Sequence, residues 1–211
     1  MEIIKITSTI LALMVAIIGH EIMHGLMAYR YGDDTAKNQN RLSPNPLLHV
    51  DPFGTIVVPA LMYFAGGFIF GWAKPVPIYI RTVIRNGGYA GAIMVSLAGI
   101  IYNFLLAVVC SIIINYLPEP TTLFSFAIYS FFYYMVVINV VLGVFNLYPI
   151  PPLDGAHALS YLCAWLGWNK LSDLLDNLNR YGMIILILLI ATPASKYFFA
   201  PIKFIVSYLL P

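Results

Sequence analysis

The chain has 211 residues, of which 61% are hydrophobic and only 9% are charged, and its formal net charge is +2. Soluble domains carry about 25% charged residues, so the composition excludes an ordinary soluble domain and predicts a protein of the lipid bilayer. The small net charge gives no indication of a nucleic-acid partner. We expect an all-α polytopic membrane protein of about five to six transmembrane helices, folded as a single transmembrane domain over residues 1–211. Cys110 and Cys163 lie in apolar runs and are predicted to pack as small hydrophobic residues.

The first apolar segment runs from Ile6 to Tyr29, and Glu21 is its only charged residue. Twenty-four helical residues rise about 36 Å, which is enough to cross a bilayer. The segment is too long for a cleavable signal and is therefore predicted to stay as a transmembrane helix. A polar loop follows, from Arg30 to His49.

The second apolar run, residues 52–73, has basic residues on both sides: Arg30, Lys37 and Arg41 before it, and Lys74, Arg81 and Arg85 after it. Positive loops tend to remain cytoplasmic, so a run with two cytoplasmic flanks must enter the membrane and return. We therefore predict a re-entrant hairpin, with an ordinary span as the alternative. The β-branched stretch from Gly54 to Val58 is predicted to be extended and to pair with an unwound substrate.

Two long uncharged segments follow. Residues 87–117 predict one span, and the next segment starts at Thr121 and stays uncharged as far as Asp154. Prolines lack a backbone donor, so a proline cluster should end this helix, and a new helix is predicted over residues 154–168. The cluster comprises Pro149, Pro151 and Pro152.

The C-terminal part predicts an interfacial helix and a last span. Leucines recur at helical spacing over residues 169–180, while charged residues occupy the other face. A last span is predicted from Tyr181 onward.

The strongest chemical signal is the H-E-x-x-H motif formed by His20, Glu21 and His24 inside the first span. Residues four apart share one face of a helix, so the two imidazoles can hold one zinc ion. Glu21 can then act as the general base toward the attacking water. A buried polar cluster without metal is the alternative, although ionisable groups inside a span are costly and usually functional.

A catalytic zinc needs a third protein ligand, and acidic residues in apolar surroundings are few. Asp154 follows the proline cluster in an otherwise uncharged stretch, and broken helices at membrane depth occur where the backbone lines a cavity. We predict that Asp154 is the third ligand; its alternative role is to cap the helix that follows. Asp51 is the next carboxylate to consider.

These motifs resemble the site-2 protease family of intramembrane zinc metalloproteases. The resemblance covers roughly residues 15–165. It rests on the H-E-x-x-H motif, on the stretch from Asn146 to Gly155, and on supporting stretches between Asn45 and Pro77. It implies one Zn²⁺ per chain bound by His20, His24 and Asp154, with Glu21 as the catalytic base.

The same resemblance implies that Asn146 helps to hold the substrate or the oxyanion, and that the chain is a minimal bacterial-type member without a PDZ or CBS domain. One departure is clear: the family often has Gly-Pro-x-x-Asn in its third span, whereas this chain lacks the proline between Gly99 and Asn103. Asn103 is predicted to serve in packing and interhelical hydrogen bonding. His49 and His157 are interpreted as polar boundary residues, with support of the zinc ligands as the alternative for His157.

The expected function is hydrolysis of peptide bonds in or near transmembrane segments of other membrane proteins, as in regulated intramembrane proteolysis. The partners expected are a transmembrane protein substrate and the lipid bilayer. The expected location is the cell membrane, with the active site in the cytoplasmic half. The alternatives are a zinc-binding or zinc-transport protein and an inactive relative that binds membrane helices.

Overall fold

The computed structural model describes residues 1–58, 60–61, 71–192 and 195–210. Three of the described helices are long and apolar enough to cross a membrane: α1 (Glu2–Arg30), α3 (Ile80–Tyr116) and α4 (Leu123–Leu147). A short helix α2 (Thr35–Asn38) follows α1. The described residues contain no strand, which confirms the all-α class. They contain fewer spans than the five to six predicted, since a fourth is reached only if two bent C-terminal helices count as one.

α1, α3 and α4 pack against one another and form the core of the protein. Alanines that are completely buried lie along α1 and α3, and small side chains of this kind let helix backbones approach closely. They are Ala12, Ala16, Ala28, Ala92 and Ala107. Cys110 on α3 and Cys163 further along the chain are both buried and form no disulfide, as predicted.

α3 contains a break at Gly88, where φ is +63° and ψ is −166°. Side chains strongly disfavour this conformation, and glycine adopts it without steric cost. The break separates a first helical stretch from the long apolar one that follows. The predicted span over residues 87–117 therefore corresponds to the part of α3 after the break, and the helix that precedes it was not predicted.

The stretch from Gly54 to Val58 is helical, so the prediction that it is extended was wrong. Residues Pro52–Val57 form a π-helical turn, and Val58 continues in the helical conformation. Asp51 caps this turn by accepting hydrogen bonds from the N–H groups of Phe53 (2.9 Å) and Gly54 (3.2 Å). A capped start with proline at the first position outweighs the β preference of the residues that follow.

The two ends of the run 52–73 lie side by side. The N–H of Trp72 donates to the carbonyl of Gly54 (3.1 Å), and the Thr55 hydroxyl donates to the carbonyl of Trp72 (3.0 Å). Just outside them, the N–H of Lys74 donates to the carbonyl of His49 (2.9 Å). A re-entrant path requires such a meeting of its ends. Residues 59 and 62–70, on which the rest of that prediction falls, lie outside the described residues.

The C-terminal part consists of four shorter helices: α5 (Asp154–Trp165), α6 (Asn169–Asn179), α7 (Gly182–Ala191) and α8 (Ser195–Leu209). α5 begins at the predicted residue, and α6 matches the predicted helix over 169–180 to within one residue. α6 rests on α5 through Ser172 and Leu175, which are buried.

The last span predicted from Tyr181 begins with α7, which is inclined to α8 by 79°. α7 has 10 residues and therefore rises only about 15 Å, half of the bilayer core. It ends before Thr192, which is extended (φ −95°, ψ 161°). The residue before a proline is disfavoured in the helical conformation, and Pro193 comes next in the sequence.

Candidate metal centre

The two histidines of the H-E-x-x-H motif lie one turn apart on α1 and face α3 and α5. His20 and His24 are each only 7% exposed. Their Nε2 atoms are 3.0 Å apart, and the Asp154 Oδ2 atom lies 3.0 Å from that of His20 and 3.3 Å from that of His24. These three side chains form the one group of potential metal ligands found among the described residues.

Asp154 reaches the histidines because α4 ends before the chain has moved past the level of the histidine pair. α4 ends at Leu147, and Tyr148 is extended (ψ 139°). Asp154 then starts α5, the helix that packs on α3. Gly155 allows the start of α5 to lie against the end of α4, because a Cβ atom at this position would collide with the carbonyl of Leu147. The proline-rich connection thus lets the acidic residue stop at the depth of the histidine pair.

The other nitrogen of each imidazole is bonded to an oxygen. His24 Nδ1 lies 2.7 Å from the carbonyl oxygen of Val95, which can only accept, so this nitrogen carries the proton. His20 Nδ1 lies 2.6 Å from Asn103 Oδ1 and likewise donates. In a neutral imidazole the remaining nitrogen then offers a lone pair. Both Nε2 lone pairs therefore point toward each other and toward a carboxylate oxygen.

This arrangement fits a metal ion. Three potential electron-pair donors converge, and a metal cation bound between them would relieve their mutual repulsion. Nitrogen and oxygen ligands lie about 2.0–2.1 Å from tetrahedral zinc, which requires ligand atoms about 3.3 Å apart. The separations of 3.0, 3.0 and 3.3 Å are close to that value.

Glu21 lies beside the three ligand candidates and is not one of them. Its Oε2 atom accepts a hydrogen bond of 2.8 Å from the N–H of Val76, in the non-helical segment 71–79. Prolines 75 and 77 flank Val76 and have no N–H of their own. The segment after the run 52–73 therefore orients one carboxylate oxygen of the H-E-x-x-H glutamate.

Two residues of α3, Gly99 and Asn103, shape the pocket of His20. A Cβ atom on Gly99 would lie 2.6 Å from the His20 ring, so the missing side chain makes room for the imidazole. Asn103, one turn further along, is fully buried and contacts His20. This contact confirms the predicted interhelical hydrogen bond of Asn103, although the sequence did not identify His20 as its partner.

The remaining candidates lie outside the cluster of three. The Asn146 amide donates to the carbonyl of Leu142 (3.0 Å) on its own helix, so the structure does not bring it to the ligand group by a described hydrogen bond. His49 is buried, and its Nε2 atom donates a hydrogen bond to the carbonyl of Ser43 (2.9 Å). Asp51 caps the turn described above, and the N–H groups of Gly54 and Phe53 hold the pKa of Asp51 below its ordinary value. His157 is not part of the group either.

Comparison with known proteins agrees with the site. Residues 117–190 match the model of peptidase family M50. Over 196 residues the chain is 37% identical to "Putative zinc metalloprotease YwhC" of Bacillus subtilis (strain 168), which covers 91% of this chain and 84% of that protein. The chain belongs to peptidase family M50. This membership confirms the resemblance to site-2 proteases drawn from the sequence motifs.

A second relative is less similar to the chain. "Putative zinc metalloprotease Rip2" of Mycolicibacterium smegmatis is 29% identical over 182 residues, which are 85% of this chain and 65% of that protein. No solved structure matches the chain. The M50 peptidase described here is a membrane protein by its apolar helices, and its H-E-x-x-H motif lies within the first of them.

Proposed function

We propose that this M50 peptidase is an intramembrane zinc metalloprotease that cleaves other membrane proteins in or near their transmembrane segments. The observation that carries the proposal is the convergence of His20 Nε2, His24 Nε2 and Asp154 Oδ2 inside the helix bundle, with Glu21 next to them. Two curated relatives carry the name of zinc metalloproteases, which supports zinc as the metal. One zinc ion per chain and one protease domain over residues 1–211 belong to the same proposal.

In this mechanism, bound zinc supplies Lewis-acid chemistry that polarises the scissile carbonyl and makes water a better nucleophile at neutral pH. Glu21 takes the proton of the attacking water and returns it to the leaving amine. The hydrogen bond from Val76 engages Oε2 and leaves Oε1 available for that transfer. Asn146, at the end of α4, is proposed to contact the substrate backbone or the oxyanion.

A substrate helix hides its peptide bonds, so it must unwind before Glu21 and the metal can reach them. The site lies among membrane-spanning helices, which supports a transmembrane segment of another protein as the substrate. The expected role of this cleavage is the regulated release of a domain of the substrate protein.

The active site is proposed to lie in the cytoplasmic half of the cell membrane. His20 is ten residues from the end of α1 at Arg30, a rise of about 15 Å. Positive residues favour the cytoplasmic side, and those around the re-entrant run follow this end of α1 in the chain. They are Arg30, Lys37, Arg41, Lys74, Arg81 and Arg85.

Co-expression with a panel of tagged single-span membrane proteins tests the proposal. We expect cleavage of at least one member by the native chain, and none by a Glu21→Gln variant that still contains zinc. A zinc-transport protein would move zinc across a vesicle membrane irrespective of Glu21. An inactive relative would bind the panel without cutting it. Either of these results would overturn the protease proposal.

A further inference from the structure

Two asparagines are completely buried where the three long helices meet. Asn103 on α3 and Asn139 on α4 are each 0% exposed. A polar amide inside apolar surroundings is costly unless its hydrogen bonds are made. Asn139 touches none of the three ligand candidates, and the proposed mechanism does not use it.

The hydrogen bonds of these two amides run in one direction. Asn139 Nδ2 donates to the carbonyl of Met135 (2.8 Å), an oxygen that can only accept. Asn139 must therefore turn its Oδ1 toward Asn103, whose Nδ2 donates both to it (2.8 Å) and to the carbonyl of Ala16 on α1 (3.2 Å). Asn103 then has only its Oδ1 left for the His20 Nδ1, at 2.6 Å.

His20 needs such an arrangement more than His24 does. His24 donates to the backbone carbonyl of Val95, which has no alternative donor to present. His20 instead faces a side-chain amide, which can present either its oxygen or its NH₂ group after a rotation of about 180°. The wrong orientation would face His20 Nδ1 with a donor, which favours the tautomer whose Nε2 carries a proton and cannot bind a metal.

We propose that Asn139 is a positioning residue that, together with the carbonyl of Ala16, orients the Asn103 amide and thereby holds His20 in its metal-binding tautomer. The line of contacts runs from α4 through α3 to α1 and ends at the Nε2 lone pair. The inference rests on the proposed zinc site and adds a residue one contact further from the metal than Asn103.

Zinc affinity of the purified full-length chain, measured by competition with a fluorescent chelator, tests this inference. Partners that orient a ligating histidine contribute about 10- to 100-fold to metal affinity, so Asn139→Leu should weaken zinc binding about tenfold. Asn139→Asp keeps an oxygen facing Asn103 and should restore affinity to within about threefold of the native chain. Asn115→Leu is the control, because the Asn115 side chain on α3 donates to the carbonyls of Ser111 (2.8 Å) and Leu209 (3.4 Å) and to no ligand candidate, so this variant should bind zinc normally.

The decisive measurement repeats Asn139→Leu in an Asn103→Leu background. Residue 103 then has no amide to orient, so the loss of Asn139 should change affinity less than about threefold. An equal loss in both backgrounds would show that Asn139 acts only through packing and would overturn the inference. If the native chain binds no zinc, the zinc site itself fails. If the native chain binds zinc and Asn139→Leu does not change the zinc affinity, only the role proposed for Asn139 is refuted.

Discussion

Substitution of Gly99 by alanine should displace the His20 ring and weaken zinc binding. The new Cβ atom would lie 2.6 Å from Cε1, Nδ1 and Nε2 of the ring, whereas ordinary contacts begin at 3.4 Å. The ring must therefore recede by about 0.8 Å unless the helices separate, and metal sites tolerate about 0.2 Å in ligand distances. Overpacking of this kind costs about 1–3 kcal/mol, which corresponds to about 5- to 150-fold in affinity.

Chelator competition on purified protein gives the zinc affinity of the Gly99→Ala variant. Gly91→Ala on the same helix is the control, because its Cβ atom would meet the Tyr31 ring at 3.3 Å, far less of a clash. That variant should bind zinc within about twofold of the native chain. Native zinc affinity in Gly99→Ala, with the protein still folded, would refute the close contact between α3 and His20.

Three further results are expected. Glu21→Gln should abolish proteolysis and retain zinc, whereas Asp154→Ala should lower both zinc content and proteolysis, because only Asp154→Ala removes a ligand. Full zinc content and full cleavage in Asp154→Ala would exclude Asp154 from the metal site. Val76→Pro removes the N–H group that donates to Glu21. Since hydrogen bonds to charged groups contribute about 1.5–3 kcal/mol, kcat should fall at least tenfold while the zinc content stays unchanged. An unchanged kcat would show that this hydrogen bond does not serve catalysis. Cysteines placed at Ser43 and Lys74 should react with a membrane-impermeant reagent from the same side, and labelling from opposite sides would disprove re-entry.

Local sequence patterns predicted the elements that depend on neighbouring residues. The interfacial helix α6 follows from leucine spacing, and the start of α5 at Asp154 follows from the prolines before it. The same reasoning failed from Gly54 to Val58, because a β preference worth about 1 kcal/mol competes with capping by Asp51 of similar size. It also predicted a full span from Tyr181, although α7 has only 10 residues and ends before the extended Thr192.

The sequence by itself determined the membrane class, the M50 motif and the shared helical face of His20 and His24, because composition and i, i+4 spacing are local properties. Only the tertiary structure decided which distant groups meet these histidines. Asp154 lies 134 positions from His20 along the chain, and Asn103 lies 83 positions from it. Their approach depends on how α1, α3, α4 and α5 cross, and on the small residues at those crossings. The role of Asn139 depends on the direction of hydrogen bonds across three helices, which no single stretch of sequence encodes.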